Sequence, residues 1–184
     1  MTGVEKILVP LADGFEEIEF TTIVDVLRRA DLDVTVASLA PGAVRGAHGI
    51  RIEPDACLAD LDTRAFTMVV LPGGQPGTRN LAADERVLGI VRRLAREQRL
   101  VAAICAAPVV LHAAGVLTGV EVTAHPSVHD RLAGAVLVKD RRVVRSGCVF
   151  TSQGAGTALE FALALVAELK GPAQAHELAT AMRV

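Results

Sequence analysis

The sequence predicts an α/β fold, with a mostly parallel sheet covered by helices on both faces. Three observations carry this expectation. Strand-like runs alternate with helical patterns along the whole chain, which implies strands joined by crossover helices. Thr67 to Leu71 is a near-continuous apolar run that stops at Pro-Gly-Gly, as a central parallel strand does. Residues 100–111 then read as strand, sharp turn and helix: five apolar residues, Cys105, two alanines, Pro108 and a second apolar segment. Proline suits the first turn of a helix, where its missing N–H is no loss.

Each element has its own signal. Ile7 to Leu11 is a short strand, followed by the loop Ala12-Asp-Gly-Phe15. A helix is expected from about Glu16 to Ala30, where Phe20, Ile23, Val24 and Leu27 form one apolar stripe. Ile18 and Val26 lie off that stripe, so a second surface is expected to be covered, by a partner subunit or within the chain. Val34 to Ala37 is the second strand, and residues 44–52 suggest a hairpin among the breakers Gly42, Gly46 and Gly49. Val87, Leu88, Val91 and Leu94 mark the next helix, with Arg92, Arg93 and Arg96 mostly outward. After the 100–111 unit come a strand at 120–123, an antiparallel pair at 135–139 and 142–145, and a strand at 148–151. Residues 158–169 are apolar almost all round and should form a buried helix. A last amphipathic helix carries Ala175, Leu178, Ala179 and Met182. No repeat or linker interrupts the 184 residues, so one domain over 1–184 is expected.

Composition narrows the function. Hydrophobic residues make up 51% and the net charge is only −2, with no basic stripe or acidic tail. Neither nucleic acid nor a membrane surface is an expected partner. The three cysteines, Cys57, Cys105 and Cys148, are far apart and lack metal-type spacing. That argues against a disulfide framework or a metal site and for a reducing compartment. No signal peptide is read at the N-terminus, and even the apolar segment 157–169 is broken by Glu160 and Glu168. A cytoplasmic location is expected. Gly154-Ala-Gly156 precedes a helix but is no complete nucleotide-binding signature, and reads as the turn into that helix.

The turn at Cys105 has the pattern of a nucleophile elbow, which lifts one side chain above the sheet edge. Free N–H groups and the positive end of the helix dipole there favour a thiolate. Cysteine is also a common small buried residue, so its neighbours decide the matter. In such sheets, ligand sites lie at the carboxyl ends of strands. Four features fall there: Glu16, Glu17 and Glu19 after the first strand, Gly73 and Gly74 after 67–71, Cys105 itself, and His125 after 120–123. Each has an ordinary explanation alone; glutamates in a first helical turn, for instance, simply favour the dipole. Together they point to a site.

The segments A-D-G-F-E-E-I-E (12–19), V-V-L-P-G-G (69–74), A-A-I-C-A-A-P (102–108), A-H-P (124–126) and T-S-Q-G-A-G-T (151–157) resemble the ThiJ/PfpI superfamily. The similarity runs end to end, through the closing A-H-E-L-A. Within it, the segments resemble the branch that holds the parkinsonism-associated protein deglycase and bacterial YajL. The resemblance implies a flavodoxin-like fold, no cofactor, and a homodimer with its site near the subunit interface. It also implies that Cys105 is the reactive cysteine, Glu19 the acid beside it and His125 the site histidine. Gly74 and Ala106 correspond to the backbone N–H pair, with Gly73 in the same turn. Relatives usually carry arginine where this chain has His48, a position tied to anion binding and the dimer surface.

Simple electrostatics gives the Cys105–Glu19 pair a distinctive acidity. A thiolate about 4 Å from a carboxylate repels it by on the order of 4 kcal/mol at an effective dielectric near 20. That is roughly three pKa units, which would lift Glu19 from about 4.3 toward neutrality. The expected state is a thiolate accepting a hydrogen bond from protonated Glu19, and the two titrate as a unit. The expected activity is that of a glutathione-independent glyoxalase or deglycase-like enzyme acting on small dicarbonyls such as methylglyoxal through a cysteine hemithioacetal. An oxidative-stress sensor or redox-regulated chaperone using the same cysteine is the alternative. Ala106 directly after Cys105, and Ser127 rather than an acid after His125-Pro126, disfavour an amidohydrolase or cysteine protease.

Overall fold

The computed structural model describes residues 5–184. β1 (Lys6–Leu11) leads into α1 (Glu17–Arg29), and β2 (Asp33–Ser38) returns parallel to β1, with Ile7 opposite Val34 and Val9 opposite Val36. A hairpin follows, β3 (Val44–Arg45) with β4 (Arg51–Ile52), and then β5 (Ala56–Cys57). β6 (Met68–Leu71), α2 (Gly77–Ala83), α3 (Glu85–Arg96), β7 (Leu100–Ile104) and α4 (Pro108–Ala113) come next. β8 (Glu121–Val122), β9 (Val136–Leu137), β10 (Val143–Ser146) and β11 (Val149–Ser152) precede α5 (Ala158–Lys170) and α6 (Pro172–Met182).

Seven strands form the main sheet in the order β10-β11-β7-β6-β1-β2-β5, all parallel except the β10–β11 pair. β6 is central, as its unbroken run requires. Side chains alternate across the sheet with the strand period of two. Met68 and Val70 join Ile7, Val9, Ile23 and Leu27 in one core, with Phe161 and Leu165 of α5. Val69 and Leu71 join Leu88, Val91, Val110 and Leu111 in the other. Helices α1 and α5 therefore cover one face, and α3 and α4 the other. The α1 stripe is buried as expected, Val26 included, but Ile18 is 59% exposed.

Three expectations need correction. The strands near 135–139 and 142–145 do not pair with each other. Instead β9 runs parallel to β8 in a separate two-stranded sheet, while β10 pairs antiparallel with β11. The tight turn at Gly147-Cys148 joins β10 to β11 instead, and that pairing buries Val144 and Phe150 in the larger sheet. His125 thus follows a strand outside the main sheet. A helix absent from the sequence reading, α2, starts directly after the Gly73-Gly74 turn. In the last helix only Ala175 is buried; Leu178 and Met182 are half-buried against the core that α5 joins, and Ala179 is half-buried.

Candidate active site

Cys105 sits between β7 and α4 with φ of +63°, a left-handed conformation that is costly for a side chain other than glycine. Hydrogen bonds hold it there. Its N–H donates to Ser152 O at 2.9 Å at the end of β11, and its carbonyl accepts the His125 N–H at 2.9 Å. The Ala107 N–H closes the turn on Ile104 O at 2.9 Å, and Pro108 begins α4. The elbow expected from the sequence is present.

The three glutamates at the start of α1 do three different things. Glu16 caps the helix, its Oε2 accepting the Glu19 N–H at 2.7 Å. Glu17 turns away toward the β3–β4 hairpin. It accepts the His48 N–H at 2.6 Å and the Ile50 N–H at 3.4 Å, and lies 2.8 Å from His48 Nδ1. Glu19 points inward and is wholly buried. Its Oε2 accepts the Gly73 N–H at 2.8 Å, and its side chain shares a hydrogen bond with Cys105. Its Oε1 has no donor to accept from, although it is buried.

Glycine is required at both positions of the turn after β6. A Cβ on Gly73 would stand 2.5 Å from Glu19 Oε2 and 2.7 Å from Cys105 Cβ, closer than side chains can pack. Gly74 has φ of +95° and would meet the Phe15–Glu16 backbone. Backbone hydrogen bonding from Gly74 and Ala106 reaches the Cys105 sulfur.

Burial sets the acidity of the pair. It pushes Glu19 up to about 7, with the charge of Glu16 adding to the rise, while hydrogen bonds from Cys105 and Gly73 oppose it. The expected direction is right, but desolvation leads rather than thiolate repulsion. Burial, then the charge and hydrogen bond of Glu19, push the Cys105 thiol up to about 12. The Ala106 and Gly74 N–H groups pull the other way and are outweighed, so the elbow donors do not by themselves yield the thiolate expected from the sequence, because burial of the sulfur costs more than they return. Two groups that each resist ionisation beside the other share one proton across the intervening range.

His125 reaches the site from the far side. A Cβ built on Gly154 would lie 3.7 Å from His125 Cδ2 and 3.9 Å from Cys105 Sγ, so both side chains border the same small space. Gly154 therefore belongs to the site wall, a role the turn reading missed. Thr157 fixes it there, its hydroxyl oxygen accepting the Gly154 N–H at 3.1 Å. Glu19, Gly73, Gly74, Cys105, Ala106 and His125 are thus all brought together, and His48 belongs to a separate cluster with Glu17. Glu16, Glu17 and His48 place possible ligand atoms within 4.8 Å of one another, but Glu16 is engaged as a cap and Glu17 by the hairpin. Cys57 lies on an edge strand. Cys148 lines a cavity of about 790 Å³ with Arg92 and Arg96 at the amino ends of β7 and β11, away from the elbow.

Comparison with known proteins places the chain in a family. A model described as the DJ-1/PfpI family matches residues 5–168. The chain is 42% identical over 179 residues to Drosophila melanogaster protein dj-1beta, covering 96% of each. The crystal structure of that protein superposes with a TM-score of 0.95 over 99% of both chains at 41% identity. Glutathione-independent glyoxalase DJR-1.2 of Caenorhabditis elegans is 39% identical over 173 residues, covering 94% of this chain and 91% of its own. An oxidized Toxoplasma gondii DJ-1 structure is 33% identical, with a TM-score of 0.92 over 97% of each chain.

Proposed function

The chain belongs to the DJ-1/PfpI family, and from that premise we propose that it converts small dicarbonyls such as methylglyoxal to hydroxy acids without glutathione. The observation that carries this reading is the strained, half-buried Cys105 facing the wholly buried Glu19. Above about pH 7 the pair carries one negative charge. Placing it on sulfur gives the thiolate three donors: the Gly74 and Ala106 N–H groups and the Glu19 carboxyl.

The thiolate attacks the aldehyde carbon, forming a C–S bond and sending an electron pair to the oxygen. Gly74 and Ala106 are positioned to stabilise that oxyanion, which takes the Glu19 proton to give a hemithioacetal. Glu19, now a carboxylate, removes the proton from the former aldehyde carbon to give an enediol. Return of a proton to the neighbouring carbon leaves a thioester, with His125 serving the second oxygen. Water cleaves the thioester, releasing lactate and the thiol. One carbon is oxidised as the other is reduced, so the sum is methylglyoxal plus water giving lactate, with no external oxidant.

Purified protein given methylglyoxal and no added thiol should accumulate lactate. Cys105→Ala should abolish this with the fold intact, and Cys57→Ser and Cys148→Ser should retain most activity. Equal lactate formation by folded Cys105→Ala would end the proposal.

A second reading rests on the same thiol. An ionised sulfur beside an acid donor also suits oxidation to a sulfinate, and one relative's structure is of an oxidized form. Peptide mass mapping after mild peroxide treatment should find Cys105 modified ahead of Cys57 and Cys148.

A further inference from the structure

Ser127 sits in the turn of residues 126–131, beside the site and outside the chemistry described above. Its backbone N–H donates to His125 Nδ1 at 3.3 Å, and its hydroxyl oxygen lies 2.8 Å from the same nitrogen. A backbone N–H can only donate, so Nδ1 is an acceptor and the proton of the neutral ring resides on Nε2. The hydroxyl then donates to Nδ1 as well. The opposite edge of the ring faces the chemistry, because Cδ2, which is bonded to Nε2, borders the space beside Gly154 that Cys105 Sγ also borders. The backbone that carries the ring is tied to the elbow, since the His125 backbone N–H donates to Cys105 O at 2.9 Å.

We propose that Ser127 is a positioning residue that fixes His125 as its Nε2–H tautomer, so that the site receives a hydrogen-bond donor from this side. The tautomer stands on the geometry alone; its catalytic use rests on the proposed dicarbonyl chemistry. In that chemistry the two titratable groups divide the labour. Glu19 exchanges protons with carbon and with the first oxygen. Neutral His125 donates a hydrogen bond to the second oxygen and stabilises the enediol as charge builds there, as a neutral histidine can. The opposite tautomer would present a lone pair to that oxygen and repel it.

Ring ¹⁵N chemical shifts of His125, recorded with the ring neutral, test this in wild type, Ser127→Ala and Ser127→Thr. Wild type should show a protonated Nε2 and a bare, hydrogen-bonded Nδ1. In Ser127→Ala the ratio of tautomers should shift about fivefold toward Nδ1–H, the loss expected for one ordinary hydrogen bond. Ser127→Thr, which keeps the hydroxyl, should restore it. With methylglyoxal, kcat should fall in parallel in Ser127→Ala at nearly constant KM and recover in Ser127→Thr. Unchanged ring shifts in Ser127→Ala would overturn the assignment, and altered shifts with unchanged kcat would overturn its catalytic role. If wild type makes no lactate while the shifts move as described, the dicarbonyl reading falls and the tautomer assignment stands.

Discussion

Glu19 is pushed up to about 7 and Cys105 to about 12, so between these limits the pair holds one proton and one negative charge. Below pH 7 both groups are protonated and the nucleophile is lost. kcat/KM should therefore rise with pH through about 7, as the pair loses its first proton, and then level off. Glu19→Gln keeps a donor but removes the acid. It should abolish that acidic limb and lower turnover by about 10²–10⁴-fold, the usual contribution of a positioned acid–base. The same group affects stability. A carboxyl whose pKa is raised on folding favours the fold fully below its unfolded value near 4.5, and that contribution is lost as pH climbs through about 7. Wild type should lose on the order of 3 kcal/mol relative to Glu19→Gln between pH 4 and 8. Parallel stability profiles for the two proteins would show that Glu19 is not buried as described. The elbow at Cys105 was legible because strand, turn and helix signals sit within twelve consecutive residues. Gly154 was not, because it contributes space, and a missing side chain leaves no pattern to read.

At the scale of elements, the β3–β4 hairpin is clasped to the start of α1 by one buried carboxylate. Burial alone would raise the Glu17 pKa, but hydrogen bonds from the His48 side chain and backbone and from Ile50 outweigh it and hold it below the usual value. His48, mostly exposed, is raised by the same partnership. The clasp thus loses strength as pH falls through the Glu17 pKa and as it rises through that of His48. Glu17→Ala would leave two backbone N–H groups without their acceptor. A cost of about 1–3 kcal/mol follows, with faster amide exchange at His48 and Ile50. Unaltered exchange would mean that the backbone bonds of the hairpin suffice alone. The main strands were readable because apolar runs, or in β2 an alternation of valine with polar residues, end at turn signals. α2 was not, since in Gly-Thr-Arg-Asn-Leu-Ala-Ala only Leu81 gives an apolar signal. β8 and β9 pair through two residues each, and the partner of such a strand is set by tertiary packing that local pattern does not encode.

For the whole molecule, the parallel sheet brings the ends of β1, β6, β7 and β11 to one edge, and the site is assembled from segments distant in sequence. The fold class was legible from alternation, and so was His125 as a site residue, although the strand it follows, β8, lies outside the main sheet rather than within it. Among the described residues no helix is long and apolar enough to cross a membrane. Ile18 and Ile50, 59% and 56% exposed, flank the Glu17–His48 clasp close to the start of α1. On that ground we expect a homodimer formed across this face, with Ile18→Asp shifting it to monomer in light scattering. A monomer mass for wild type at all micromolar concentrations would refute the dimer. The central claim is that Cys105, with Glu19 moving the protons, isomerises a dicarbonyl through an enediol. Proton NMR of lactate made from methylglyoxal in D₂O with no added thiol tests it most directly. The account predicts solvent deuterium at the carbon bearing the hydroxyl, and no lactate from Cys105→Ala. Lactate that keeps the original aldehyde hydrogen at that carbon in full, or equal formation by Cys105→Ala, would contradict it.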